Sequence, residues 1–461
     1  MQRILAISWL TWKAALRFKL FLVIAALLIL AVVGLPLVIK DDGTARGFTQ
    51  IILTYTLSAI TALLGLSTLW LSCGTLARDI EECQIQVVAT KPIARWQIWI
   101  GKWLGIVTLN AVLLAISGAC VFGLLQWRAT KLPEAEQKNL REQVLVARGS
   151  AKEKNNDADI DATTEKVLQE RLKTSPVETA NMAEVRRQIR EQVKADFQLV
   201  APGYPHGWQI DLGFAKNYLR DKPLQLRVKF NAANKSSSGT FVAQWQVGDP
   251  NSQKIWQSDP MSLAPDTFHE FEVPPNLFDG KGVLTIIFLN RNDTALLFPL
   301  EDGMEVLYPE GGFALNFVRG LGIIFCWMAL LAALGLMAAS FLSFPVATFF
   351  SLAMLVVILG SGTLAETVEN GTVGVGNAEK GIAGHSVADV VLIPMFKGIL
   401  AVVSLTKNVS PIDLLSTGRA ISWGDFGMAF GQIVLLLGGI IAVIGIVLFN
   451  RRELATAQGN Q

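Results

Sequence analysis

RDIEECQIQVVATKPIARWQIWIGK, residues 78–102, is a charged island between two long apolar runs, and its reading decides the fold. Residues 48–77 before it and 103–127 after it carry no charged side chain. A helix needs about 20 apolar residues to cross the hydrocarbon core of a bilayer, so each flank is long enough to be a span. Within the island, Ile80, Cys83 and Val87 fall on one helical face and Glu81 and Glu82 elsewhere, which predicts a short amphipathic helix over 78–91. Pro92 ends it. Arg95, Trp96, Trp99 and Lys102 then lead back towards the bilayer as basic and aromatic interface residues.

Three more charge-free runs, 20–39, 320–365 and 427–450, give the chain its class. The run 320–365 is more than twice the length one span needs, and Phe344-Pro345 is the natural break, because proline removes a backbone donor and disfavours helix before it. The expected architecture is an α-helical polytopic membrane protein of six spans: 20–127 holding the first three, 313–365 the fourth and fifth, and 427–450 the sixth. Hydrophobic residues make up 51% of the chain and charged residues 17%, which excludes an ordinary soluble globule.

Residues 1–19 contain Arg3, Lys13, Arg17 and Lys19 and no acid. Leu5, Trp9, Trp12 and Leu16 form one stripe of a helical wheel, the pattern of an amphipathic helix lying on the membrane surface. Basic residues in the N-terminus, the island and the tail 451–461 place all three on the cytoplasmic side by the positive-inside rule. Residues 128–312 are then extracytoplasmic. So is the loop 366–426, where the apolar stretch from Val390, interrupted by Pro394, Lys397 and Gly398, predicts helices dipping into the outer leaflet.

The insert has two parts. Residues 128–204 are charged and expected to be helical: Ser175-Pro176-Val177-Glu178 is a helix start, and the polar stretch 149–161 is a loop before it. From 205 to 312, short alternating segments at Leu224, Gly239, Phe268 and Gly282, separated by turn formers, predict a β-sandwich of jelly-roll type. Val283–Leu289, apolar on both faces, is its expected central strand. The insert carries a slight acidic excess and no basic footprint, so nucleic acid is not an expected partner.

Little in the sequence is catalytic. The three histidines have no HExxH spacing and no Cys/His cluster accompanies them, so no metal site and no enzyme activity are expected. The glycine-rich run 371–381 lacks the GxxxxGK[ST] spacing of a phosphate loop, so no nucleotide site is expected either. Candidate binding residues are Asn110, Asn316 and Arg319 in or near the spans, because polar groups in membranes are functional by default. Trp208, Trp245 and Trp256 in the insert could form a sugar-stacking platform; tryptophan in a small β-domain more often fills the core.

An acidic pair at the end of the second span, a short helix, a proline, an arginine and, seven residues later, a lysine opening the third span resemble the permease subunit of type-2 ABC exporters. Here these are Glu81, Glu82, Pro92, Arg95 and Lys102. The tail Phe449-Asn450-Arg451-Arg452-Glu453-Leu454, preceded by Pro411 and Ile421-Ser422-Trp423, is similar to the family too. The resemblance covers roughly 1–128 and 313–454; Cys83-Gln84 departs from the Gly-Thr of many members, and the long insert has no counterpart in it. It implies that 78–91 is a coupling helix, with Ile80, Glu81, Glu82, Val87, Pro92, Arg95 and Lys102 meeting a separate cytoplasmic ABC ATPase that binds ATP and Mg. It also implies a second permease chain, identical or different, in a bacterial-type inner membrane, and no cofactor in this chain. Membrane lipid surrounds the spans, and an envelope protein or glycan is the candidate partner of the insert. The alternative is ATP-coupled mechanotransmission, or membrane-anchored binding, acting on an envelope partner without moving cargo.

Overall fold

Over their described residues the charge-free runs are helical, broken at Leu342. The computed structural model describes residues 1–17, 19–38, 44–82, 84, 93–154, 157–174, 182–234, 236, 238–249, 254–359, 368, 392–398, 400 and 410–452. The chain divides into two units, Met1–Val146 with Gly312–Gln461, and Ala147–Gly311. The first is helical: α1 (Gln2–Arg17), α2 (Lys19–Val38), α3 (Ala45–Glu81), α4 (Arg95–Ala129) and the short α5 (Glu134–Asn139). The second begins in strand β1 (Val146–Ala151), and helices α6 (Asp157–Thr174) and α7 (Met182–Gln198) follow it.

Among the described residues, five helices are long and apolar enough to cross a membrane: Phe21–Val38, Ala45–Glu81, Arg95–Ala129, Phe313–Phe341 and Trp423–Arg451. The chain is thus mostly helical and of membrane-spanning character. Backbone groups in hydrocarbon have no water to bond, so these runs satisfy their polar groups internally as helices. The apolar run starting at 320 breaks at Leu342, two residues before Phe344-Pro345, as the proline requires. Its second half, Phe344–Leu359, is a helix of 16 residues, shorter than a span needs.

The amphipathic N-terminal segment is the helix α1, and most of the stripe expected to face a membrane lies apart from its packed face. Leu5, Trp9 and Leu16 are exposed, whereas Ile7, Thr11 and Ala15 are buried. The reason lies in α4. A Cβ at Gly101 or Gly105 would sit 2.7 Å from the Cβ of Ile7 or Thr11, so the two glycines let the backbones approach and the small side chains of α1 fill the seam. Ser8 Oγ donates to Gly101 O at 2.8 Å across it.

The Ala147–Gly311 unit carries the sheets. After α7 come β2 (Leu199–Val200), β3 (Pro205–Asp211), the one-turn α8 (Lys216–Leu219), β4 (Leu224–Val228), β5 (Asn231–Ala232), β6 (Phe241–Ala243), β7 (Trp245–Gly248) and β8 (Ile255–Gln257). Then follow β9 (Met261–Leu263), β10 (His269–Val273), β11 (Val283–Leu289), β12 (Leu296–Leu297) and β13 (Met304–Gly312). Two four-stranded sheets, ordered β1-β13-β4-β10 and β3-β11-β7-β8, contribute to one core, and β2-β12-β5 and β6-β9 are smaller sheets. Strand β11 is internal as expected, its Ile286 opposite Trp208 on one side and Val247 on the other.

That register settles where the tryptophans go. Trp208 and Trp245 are buried at 6% and 0% exposure, and Trp245 packs 4.8 Å from Phe288 between ring centroids. They are core, and the half-buried Trp256 packs against the same core 6.5 Å from Phe271. The expected platform of Trp208, Trp245 and Trp256 is therefore corrected: alternation turns two of its three rings inward. Two further expectations change. Residues 146–151, partly assigned to a polar loop, form strand β1, and α6 starts at Asp157 within the same stretch. The helix start at Ser175 lies outside the described residues.

The other side of the β1-β13-β4-β10 sheet buries four charges. Glu270 and Glu305 both lie opposite Arg227 in the ladder. Arg148 Nη1 donates to Glu270 at 2.8 Å, and Ser150 donates to Glu305, which is 0% exposed. Charges taken out of water must be paired to persist, and these two cations and two anions balance.

The helical unit resumes with α9 (Phe313–Phe341), α10 (Phe344–Leu359), the short α11 (Pro411–Ser416) and α12 (Trp423–Arg451), the last of the five apolar helices. Ser422 caps α12 with Asp425 in a capping box. Inside α12, Phe430–Gly438 is a π-helical segment.

Candidate functional site at the 78–102 end of the helical unit

Helix ends leave orphan backbone groups, and at one end of the helical unit charged side chains from the 78–102 stretch and the tail satisfy them. Glu81, in the last turn of α3, accepts the Phe344 N–H at 2.8 Å and so caps α10, just where Pro345 begins it. Arg95, the first residue of α4, donates from Nη1 to Phe449 O at 3.1 Å, Asn450 O at 2.8 Å and Arg452 O at 2.9 Å, capping α12. Arg452 in turn reaches the carbonyls of Ala339, Ser340 and Leu342 at the end of α9, at 3.2–3.4 Å. A cation at a helix C-terminus also meets the negative end of the helix dipole.

Lys102 is buried. Its ammonium donates to Thr75 O at 2.7 Å and to Asp79 Oδ2 at 2.5 Å, tying the second turn of α4 to the last turns of α3. Beneath these charges lies an apolar layer of Leu76, Trp99, Ala338, Ala339 and Phe449, all nearly or fully buried. Gly445 admits the indole, since a Cβ there would lie 3.0 Å from Trp99 Nε1. Arg78 stacks 4.4 Å over Phe344.

No family model, curated protein or solved structure matches this chain.

The stretch singled out in sequence is therefore the one that gathers α3, α4, α9, α10 and α12. Its members differ in what they leave available. Glu81, Arg95 and Lys102 are engaged within the chain, and Ile80 is half-buried against the apolar layer. Glu82 is exposed and accepts from Gln84 at 2.6 Å. Arg78 to Glu81 are the last turn of α3 itself, so the helix expected over 78–91 begins as a continuation of the span. Val87 and Pro92 lie outside the described residues, as does the glycine-rich run 371–381.

The three polar candidates near the spans are all used internally. Asn110 Nδ2 donates to Thr68 Oγ1 at 2.8 Å, a bond between α4 and α3. Asn316 clamps the turn before α12, donating to Arg419 O and accepting from Ile421 N, each at 2.7 Å. Arg319 donates to Ile421 O and lies 5.3 Å from the Trp423 ring. The groove of about 530 Å³ between α4 and α9, lined by Ala115, Gly118, Phe122, Phe317, Val318 and Leu321 among others, has no charged side chain in its wall. Sequence reasoning missed Arg452 as a capping group; its only signal was its place beside Phe449-Asn450.

Proposed function

We propose that this chain is the membrane-spanning permease subunit of an ATP-driven transporter of the type-2 ABC exporter class, driven by a separate cytoplasmic ATPase. One observation carries the reading: five helices are fastened together at the end where the 78–102 stretch emerges, through Glu81, Arg95, Lys102 and Arg452. A subunit moved from outside needs such a joint, so that force applied to one short segment reaches every span. Glu82, exposed beside it, is the contact offered to the ATPase. The charge pattern supports both termini on the cytoplasmic side and Ala147–Gly311 on the outer side. On this reading Phe344–Leu359 belongs to the fifth of six spans, the insert is a jelly-roll-like sandwich with helices, and the permease works as a dimer.

Reading the chain as a mechanotransmitter gains from a separate observation. Asn110, Asn316 and Arg319 are consumed by internal bonds, and the groove between α4 and α9 is lined by apolar side chains. Work on an outer partner, or movement of an apolar cargo, fits this better than export of a polar solute.

The test is to purify the full chain from its native membrane and assay vanadate-sensitive ATP hydrolysis. An ATPase chain should accompany the wild type, and Glu82→Lys should lose it while unfolding at an unchanged temperature. If no nucleotide-hydrolysing chain accompanies the wild type, the permease reading fails; retention by Glu82→Lys would remove Glu82 from the contact.

A further inference from the structure

The Ala147–Gly311 unit holds a second constellation, outside the joint just described. A cleft of about 440 Å³ is lined by Leu212, Ala215, Tyr218, Tyr308 and Glu310. Its floor is a fixed turn: Leu212 N donates to Gly282 O at 2.9 Å, Ala215 N to Leu212 O at 3.1 Å, and Gly213, at φ +55°, takes the left-handed conformation a side chain resists. Its walls are two phenols. A Cβ at Gly149 would collide with the Tyr308 ring, so that ring is set against β1 and has little freedom. Burial, and then the charge of Glu310, push the Tyr308 hydroxyl above its ordinary range, which shows the carboxylate to be close by. Glu310 is exposed and has no ion-pair partner among the described residues.

The charge and shape of the cleft select a cation. Among the described residues its one charged lining group is a carboxylate, which repels anions and would lose hydration without compensation beneath an apolar ligand. Aromatic faces carry negative quadrupole charge and attract ammonium groups. Tyr218 already does so: the Lys222 ammonium lies 3.3 Å from its ring centroid. The lysine shows what kind of group the ring accepts.

We propose that this cleft binds an organic ammonium group, with Tyr218 and Tyr308 as aromatic walls and Glu310 as counter-charge. The ethanolamine or choline headgroup of a lipid and a free amine share this chemistry. The headgroup is the first source to test, because Glu310 precedes the apolar helix α9 by three residues in sequence. The inference does not rest on the permease reading, and ATPase association would be unaffected by its failure.

The experiment is calorimetric titration of the full chain, in phosphatidylglycerol nanodiscs, with choline chloride and with its neutral isostere 3,3-dimethyl-1-butanol. Choline should bind saturably, one per chain, and the isostere should not. Tyr218→Leu and Glu310→Gln should each weaken binding about tenfold, equivalent to ~1.4 kcal/mol, while Tyr218→Trp should retain it. Binding of free choline should disappear in phosphatidylcholine discs if the headgroup is the ligand, and persist there if the ligand is a free amine. No saturable choline binding, equal binding of the isostere or of glucose, or a Glu310→Gln protein that binds like wild type would each overturn the assignment.

Discussion

Replacing Arg95 with methionine should free the end of α12 while leaving the other helices closed. Methionine keeps most of the apolar stem, so the change isolates the guanidinium. One nitrogen with two protons faces three carbonyls at 2.8–3.1 Å, which amounts to about two full bonds. Hydrogen bonds from a charged donor contribute roughly 1.5–3 kcal/mol each, and the helix dipole adds ~0.3–1 kcal/mol. Arg95 is half-exposed, and water replaces much of what is lost, so the net effect is discounted by about half, to ~2 kcal/mol. That corresponds to amide exchange about 30-fold faster in a peptide spanning 440–452, read by hydrogen–deuterium exchange. Arg95→Lys, with the charge but fewer donors in reach, should fall between. Because Arg95 holds the carbonyl of Arg452 and Arg452 holds α9, adding Arg452→Met should cost less than the sum of the two changes. Unchanged exchange in Arg95→Met, or a rise spread evenly over all helices, would refute the reasoning.

Gly335→Ala would drive a methyl group into Ser72 of α3 and to 3.3 Å from Cys73 Sγ; overpacking of this kind costs ~1–3 kcal/mol and should appear as a lower unfolding temperature, partly restored by adding Ser72→Gly. Gly105→Leu should expel α1 from α4, and limited proteolysis should then cut within residues 1–17 while α3 stays protected. Asp279 accepts the Val283 and Lys281 N–H groups at 2.8 Å, and these bonds hold its carboxyl below the usual range. A depressed native pKa stabilises the turn fully above the ordinary carboxylate range near 4, and that stabilisation is lost as pH falls through the native value. Exchange of the Lys281 and Val283 amides, corrected for intrinsic rate, should therefore quicken at low pH in the wild type and lose this dependence in Asp279→Asn.

The long apolar helices were legible because a helix satisfies the backbone groups of charge-free runs of this length internally, and the proline break was legible for the same backbone reason. The island was legible as a place where helices end. What its charges bind was not, because Arg95 finds backbone carbonyls more than 350 residues away, and a carbonyl carries no residue type. Glu81 could have been read: a helix opening at Phe344-Pro345 needs an acceptor for its first N–H groups. The seam under α1 had a signal as well, since Gly101 and Gly105 are four apart, the spacing of small residues where two helices touch. Leu5, Trp9 and Leu16 of the expected stripe are exposed because α1 packs through Ile7, Thr11 and Ala15 instead. Strand β1 was hidden by Arg148, whose charge is matched by Glu270, 122 residues later.

The π segment Phe430–Gly438 gives the last helix a second register. Each residue of register given up or regained rotates the C-terminal turns of α12 by about 100° and shifts them by about 1.5 Å. Were the segment to tighten by one residue, the exposed Val443 and Val447 would turn with the helix and the Gly445 notch would leave Trp99. Arg95 binds the last carbonyls of that same helix, so such a turn would strain its bonds.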